Sequence, residues 1–282
     1  MCDTCGCNIT PGNQHLLKPG GKLSVTKNGS TSVSVLKNLM SENDALATHN
    51  REHFDKNNVL VINLMSSPGS GKTALLEVTI QHLKNNYRIA VIEGDLETEN
   101  DAERIRKQGV PAIQITTGSA CHLDAHMVHD AIDKLSLNDI DILFVENVGN
   151  LVCPASFDLG QHLNVTLLSV TEGDDKPSKY PVMFRAANLM LLSKIDLLDY
   201  LDDFDTNKAE ENFRALASQA PVLSLSVRNS STYSNWFEWL DEQVDTLKNK
   251  ISHGETLKPA IQTDGRQLHD QTSQINILSS QV

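Results

Sequence analysis

The stretch VLVINLMSSPGSGKTALL, residues 59–76, decides the fold. VLVINLM (59–65) is an almost continuous apolar run, the pattern of a strand covered on both faces. SSPGSGK then turns the chain, and a helix is expected over 72–85. Gly69, Ser70, Gly71, Lys72 and Thr73 have the sense of a phosphate-binding loop. There the glycines let backbone N–H groups face phosphate oxygens, the lysine reaches the outer phosphates, and the Thr73 hydroxyl can hold Mg²⁺. Ser66 stands where the usual G-x-x-x-x-G-K-[ST] pattern begins with glycine.

Outward from this stretch, further apolar runs are expected to form strands: 88–94, 112–117, 141–147, 164–170, 188–194 and 221–226. Helices are expected over 37–56, 122–135, 206–218 and 233–250, with a polar loop between the second and third strands. Buried strands alternating with helices predict an α/β fold, a doubly wound, mostly parallel sheet carrying a P-loop. The expected division is a cysteine motif at 1–8, a flexible tether at 9–36, the nucleotide-binding domain at 37–252 and a disordered tail at 253–282. A coil of this kind reaches on the order of 30 Å, so the cysteine motif can visit much of the domain surface.

The second strand leads into GDLETEND (94–101), which puts Asp95 at the phosphate side of the sheet. ENVG (146–149) ends another strand and offers Glu146 as an acidic residue beside the metal and Gly149 as a sensor of the γ-phosphate. The expected catalytic set is therefore Lys72, Asp95 and Glu146, with Thr73 and Asp95 as Mg²⁺ ligands. SKID (193–196) closes an apolar strand. Asp196 there can accept from both donors of a guanine edge, which adenine lacks, so GTP is favoured over ATP, with Lys194 beside it.

The formal charge of -12 argues against nucleic-acid and anionic-membrane partners. With no membrane span or signal peptide in the sequence, a cytoplasmic location is expected. In that reducing setting the five cysteines read as metal ligands rather than disulfides. Cys2, Cys5 and Cys7 form C-x-x-C-x-C, which can wrap three thiolates around one ion. A free Cys2 amine would add a fourth donor, and a planar N/S set favours Ni²⁺ or Cu over Zn²⁺. Cys121 stands at the start of the expected 122–135 helix, His122 is on that helix, and Cys153 follows ENVGN. The loops after their strands can meet at one sheet edge, giving a Cys/His/Cys set suited to Zn²⁺ or Ni²⁺. His126, four residues beyond His122, would share its helical face. Equally, a cysteine before proline reads as a small buried hydrophobe, and a helical histidine as polar surface.

Taken together, these residues resemble the HypB family, the nickel-incorporation GTPases of [NiFe] hydrogenase maturation in the SIMIBI class. The resemblance rests on Cys2/Cys5/Cys7, PGSGKT, GDLETEND, ENVGNLVCP, SKID and Cys121/His122/Cys153, and covers roughly 1–8 and 58–250. It implies GTP hydrolysis, GTP-promoted homodimerisation, and cofactors GTP, Mg²⁺ and Ni²⁺, with Zn²⁺ at the domain site. It also implies nickel delivery with the maturation partner HypA to the hydrogenase large subunit, and carries His126 over as a further ligand. Only His15, His49 and His53 fall within 8–58, so delivery is implied rather than bulk storage. The alternatives are a urease-type nickel-insertion GTPase, a P-loop small-molecule kinase and a metal buffer on a vestigial nucleotide fold.

Overall fold

The computed structural model describes residues 30–95, 99–118, 120–216 and 218–259. Seven parallel strands form one sheet in the order β3-β2-β4-β1-β5-β6-β7. They are β1 (Leu60–Ser66), β2 (Ile89–Asp95), β3 (Ala112–Thr116), β4 (Ile142–Glu146), β5 (Leu163–Ser169), β6 (Leu189–Ser193) and β7 (Val222–Leu225). All seven expected strands are present, within a residue or two of their expected ends. The runs are apolar because five of the strands are covered on both faces, and every residue of β1 and β5 is buried. β1 lies between β4 and β5, so the strand order reverses there and opens a crevice at the carboxyl edge.

One face carries α2 (Lys72–Leu83), α3 (Asn100–Arg106) and α8 (Ser234–Ser252), packed through Leu76, Ile80, Ile105, Trp236 and Leu240. The other face carries α1 (Ser30–Lys56) and α4 (Ala125–Ile132) around Phe54 and Val128. Beside them lie α5 (Lys176–Lys179), α6 (Pro181–Arg185) and α7 (Thr206–Arg214), with Phe184 and Phe213 buried. Among the described residues no helix is long and apolar enough to cross a membrane.

Four expectations are corrected. α3 occupies the expected polar loop; only Ala102 and Ile105 are buried, too few to mark a period. α1 begins at Ser30, so the tether expected over 9–36 gives way to helix before its end. α4 begins at Ala125 rather than 122, because the Asp124 carboxylate caps it by accepting from the Met127 N–H at 2.9 Å. At the expected tail, Thr256 donates to Asp55 at 2.9 Å and Leu257 packs against the core, so the chain is held through these positions. The expected motif at 1–8, most of the tether and the tail beyond 259 lie outside the described residues.

Polar contacts hold α1 alongside the buried Phe54. Arg51 pairs with Asp158 at 2.7 Å, and Asn43 donates to the Asp158 carbonyl at 2.8 Å and accepts from Ala125 N–H at 2.9 Å. Gly160 makes this approach possible: a Cβ there would lie 2.7 Å from the Ala47 carbonyl oxygen.

Candidate functional site

A crevice of about 340 Å³ opens at the carboxyl ends of β1, β2 and β4, lined by the turn between β1 and α2 and by Glu93, Asp95, Arg104, Glu146 and Gly149. Gly69 and Gly71 take φ of 76° and 100°, the left-handed region that side chains avoid, which turns the backbone around the N-terminus of α2. Lys72 Nζ donates to Ser66 Oγ at 3.0 Å, so the serine at the expected glycine position anchors the lysine. Thr73 Oγ1 donates to Glu146 Oε1 at 3.0 Å.

Glu93 went unnoticed in the sequence. β2 and β4 are in register at Glu93 and Glu146, which puts two carboxyls side by side under the crevice. Burial, and then the neighbouring Glu146, push the Glu93 carboxyl up to about 11, so it stays protonated at neutral pH and is hydrogen-bonded to Glu146. Burial also raises Glu146, against the opposing pull of Lys72, Glu93 and Thr73. The signal was present as one acid in the apolar strand RIAVIEG. Apart from the proton shared between the two carboxyls, Glu93 Oε2 and Glu146 Oε2 are both buried without a hydrogen-bond partner among the described residues. Beside the Thr73 hydroxyl, that hard oxygen set fits Mg²⁺.

This pair sets a pH dependence. The folded Glu93 pKa lies above its ordinary value, so the folded protein holds an extra proton above about pH 4.5, and stability falls as pH rises. Glu93→Gln removes the ionisable group and keeps the shape. The variant should melt higher than the parent by at least about 3 °C at pH 8, and the difference should shrink toward pH 4.5. Differential scanning calorimetry across that range checks it; a pH-independent difference would assign the effect to packing.

Glu172 is a second residue the sequence left unread. It accepts from the hydroxyls of Ser67 and, at 2.6 Å, Ser70, binding the turn from beneath. On the far side, Ser193 Oγ donates to the Ser70 carbonyl and Lys194 Nζ to the Gly69 carbonyl, each at 2.7 Å. Lys194 has φ of 61°. Asp196 accepts from Ser226 Oγ at 2.6 Å and faces Arg228 Nε at 3.5 Å. The SKID segment is thus joined directly to the turn at the head of α2.

Cys121, His122 and Cys153 come together with their donor atoms all within 4.8 Å. Cys153 is buried and Cys121 half-buried. His122 stacks on Phe157 with ring centroids 3.9 Å apart. Burial lowers the His122 pKa to about 4, so the ring is neutral near pH 7 and has a lone pair to offer. Two thiols and one imidazole form a donor set for Zn²⁺ or Ni²⁺. His126 does not join them. With α4 starting at Ala125, His122 lies before the helix, while His126 is half-exposed on it and faces Asp130 at 3.3 Å.

One loop links this cluster to the crevice. Gly149 lies against the turn so closely that a Cβ there would sit 2.8 Å from Pro68 Cα and N. Asn147 Oδ1 accepts from the backbone N–H of Leu123 and Val148, and Asn150 Nδ2 donates to the Cys121 carbonyl at 3.2 Å. Cys153 follows four residues after Gly149.

Residues 60–224 match the family described as CobW/HypB/UreG, nucleotide-binding domain. Hydrogenase maturation factor HypB of Escherichia coli K12 is 53% identical over 205 residues, covering 73% of this chain and 70% of that protein. The probable hydrogenase maturation factor HypB of Methanocaldococcus jannaschii is 40% identical over 216 residues, 77% of this chain and 97% of that protein. The crystal structure of HypB from Helicobacter pylori in complex with nickel superposes with a TM-score of 0.70 at 42% identity, covering 73% of this chain and 96% of that one.

Proposed function

Since the chain belongs to the HypB family of hydrogenase maturation factors, we propose that it is a GTP hydrolase that delivers nickel to the [NiFe] hydrogenase large subunit. The observation that carries this reading is the short loop from Glu146 to Cys153, which touches the phosphate-binding turn at one end and supplies a thiol to the Cys121/His122/Cys153 cluster at the other.

In this reading the β- and γ-phosphates of GTP lie on the backbone N–H groups of Gly69–Thr73, at the positive end of α2. Lys72 exchanges Ser66 Oγ for phosphate oxygens. Thr73, Asp95 and Glu146 would hold Mg²⁺, which neutralises charge on the phosphates as the bond to the γ-phosphate breaks. Glu93 keeps its proton and acts as a donor to Glu146, which orients the carboxylate and limits negative charge beside the phosphates. Asp196 and Lys194 select guanine; the base edge displaces the Ser226 hydroxyl or shares Asp196 with it.

Phosphate release frees Gly149 from one side. The movement passes along Asn150 and the chain to Cys153, which alters the geometry of the thiolate cluster and lowers its hold on the ion. Cys2, Cys5 and Cys7 capture Ni²⁺ and, on the tether, carry it to the domain. A homodimer formed on GTP, the partner HypA and a cytoplasmic setting complete the proposal. Zn²⁺ is the competing occupant of the domain cluster.

The test is a Ni²⁺ titration of the reduced protein, followed by thiolate-to-metal absorption, with and without residues 1–8 and in GDP or a non-hydrolysable GTP analogue. Truncation should remove the tightest site and leave the domain site. The domain site should change affinity by about tenfold or more between nucleotides. Equal affinity in both nucleotides sinks the gating, and equal binding by both chains sinks the capture role of the cysteine motif. The Helicobacter pylori relative named hydrogenase/urease maturation factor, 42% identical, makes urease the second acceptor to examine. Rescue of hydrogenase rather than urease activity in a deletion strain separates the two.

A further inference from the structure

Three histidines outside the sites described above are gathered between α1 and α4. His49 and His53 stand one helical turn apart with ring centroids at 4.4 Å. His129 of α4 meets them with centroids at 5.6 and 6.3 Å. An imidazole bound through a ring nitrogen at about 2.1 Å holds its centroid about 3 Å from the ion, so imidazoles sharing one ion have centroids roughly 4.5–5.5 Å apart. The His49–His53 spacing lies just below that range, and the two spacings to His129 lie above it, so the rings must move to share an ion. Their ring nitrogens do not all lie within 4.8 Å of one another, as the sulfur and nitrogen donors of Cys121, His122 and Cys153 do. Rotation of His49, which is exposed, and His53, which is half-exposed, is what closes the set.

A second observation points the same way. Asn50, buried between the two helices, spends its Nδ2 on the carbonyls of Ala125 at 2.8 Å and Leu159 at 3.2 Å. Its Oδ1 is therefore an acceptor, and the ring nitrogen 2.9 Å away, His129 Nδ1, carries the hydrogen. That leaves the lone pair of a neutral His129 on Nε2. A ligand imidazole is commonly oriented in this way, by donating its other N–H to a fixed oxygen. Histidines at i and i+4 on one helix are also the spacing at which two imidazoles reach a common ion.

We propose that His49, His53 and His129 form a binding site for one divalent first-row transition-metal ion, distinct from the Cys121/His122/Cys153 cluster. Three neutral nitrogen donors suit Ni²⁺, Cu²⁺ or Zn²⁺ and discriminate against Mg²⁺ and Ca²⁺. The inference rests on α1 and α4 alone and does not depend on the nucleotide reading. An ion held there would pin α1, which leads from the N-terminal segment, onto α4, which starts just after His122.

The test uses the full reduced chain, labelled with ¹⁵N in its histidine rings, and Zn²⁺ as the probe. Long-range ¹H–¹⁵N spectra are recorded as Zn²⁺ is added beyond the equivalents taken by the thiolates. The ring nitrogens of His49, His53 and His129 should shift together and saturate with one further equivalent, while His129 Nδ1 keeps its proton. In the full chain with its five cysteines replaced by serine, His49→Gln with His53→Gln should weaken Zn²⁺ binding by at least about tenfold. His82→Gln, whose ring stacks on Phe237, should leave it unchanged. Unshifted rings in the intact chain would overturn the site and leave plain aromatic packing as the role of the three rings. Equal affinity with and without His49 and His53 would overturn it as well.

Discussion

Lys72→Ala should lower GTP hydrolysis by a thousandfold or more, on the order of what a charged or hydrogen-bonding contact to the transition state supplies. Lys72 is buried in the crevice with its ammonium at Ser66 Oγ, 3.0 Å away, at the head of α2. Arg104 lines the same crevice, but its guanidinium is held by Glu77 at 2.7 Å and Asp101 at 2.9 Å. It is not placed to substitute. Loss of Lys72 also removes the cation that pulls against protonation of Glu146, so the carboxyl pair binds its protons more firmly and metal binding weakens. The fold should survive, since Ser66 Oγ already donates to the Ser67 carbonyl at 2.6 Å and strands no buried donor. Phosphate release under single-turnover conditions measures the effect. Hydrolysis within tenfold of the parent would overturn the phosphate-binding assignment. Nickel capture by Cys2, Cys5 and Cys7 should be unaffected.

Gly149→Ala should separate nucleotide state from metal affinity. The added methyl meets Pro68 Cα and N at 2.8 Å, and both are backbone atoms of the turn, which cannot rotate away. Either the turn or the loop must shift. The φ of Gly149 lies outside the left-handed region, so the consequence comes from contact alone. With the loop held off the turn, nickel affinity at Cys121, His122 and Cys153 should become the same in GDP and in the GTP analogue, from a difference of about tenfold or more in the parent. Isothermal titration in both nucleotides checks this. An unchanged ratio would place the coupling elsewhere, and Glu172, which grips the turn through Ser67 and Ser70, would be the next residue to replace.

Much of this protein is local information, and local information is legible in the chain. The seven strands are continuous apolar runs because a parallel sheet is covered on both faces. Gly69 and Gly71 mark positions where φ must be positive, and Lys72 and Thr73 follow at the spacing that a phosphate site needs. Helix boundaries were less legible. α4 was expected from 122, but a single carboxylate, Asp124, sets its first turn and moves His122 off the helix. His126 thereby falls outside the cluster that helical spacing and the family resemblance had both suggested for it.

What the tertiary structure decided are contacts between residues far apart in the chain. Glu93 acquires its proton because the sheet register places it beside Glu146 and burial disfavours two charges. α1 docks by Asn43, Asn50 and Arg51 reaching carbonyls and a carboxylate more than seventy positions away, which no periodicity encodes. His49 and His53 can be read as a pair on one helix, but only packing supplies His129. The closeness of Gly149 to Pro68 exists only once β1 and β4 lie side by side. Periodicity, turn glycines and motif spacing follow from forces along the chain, and the sequence by itself determined those. Protonation, ligand sets and coupling follow from which polar groups share a low-dielectric interior, and that was settled only by the packed sheet and its helices.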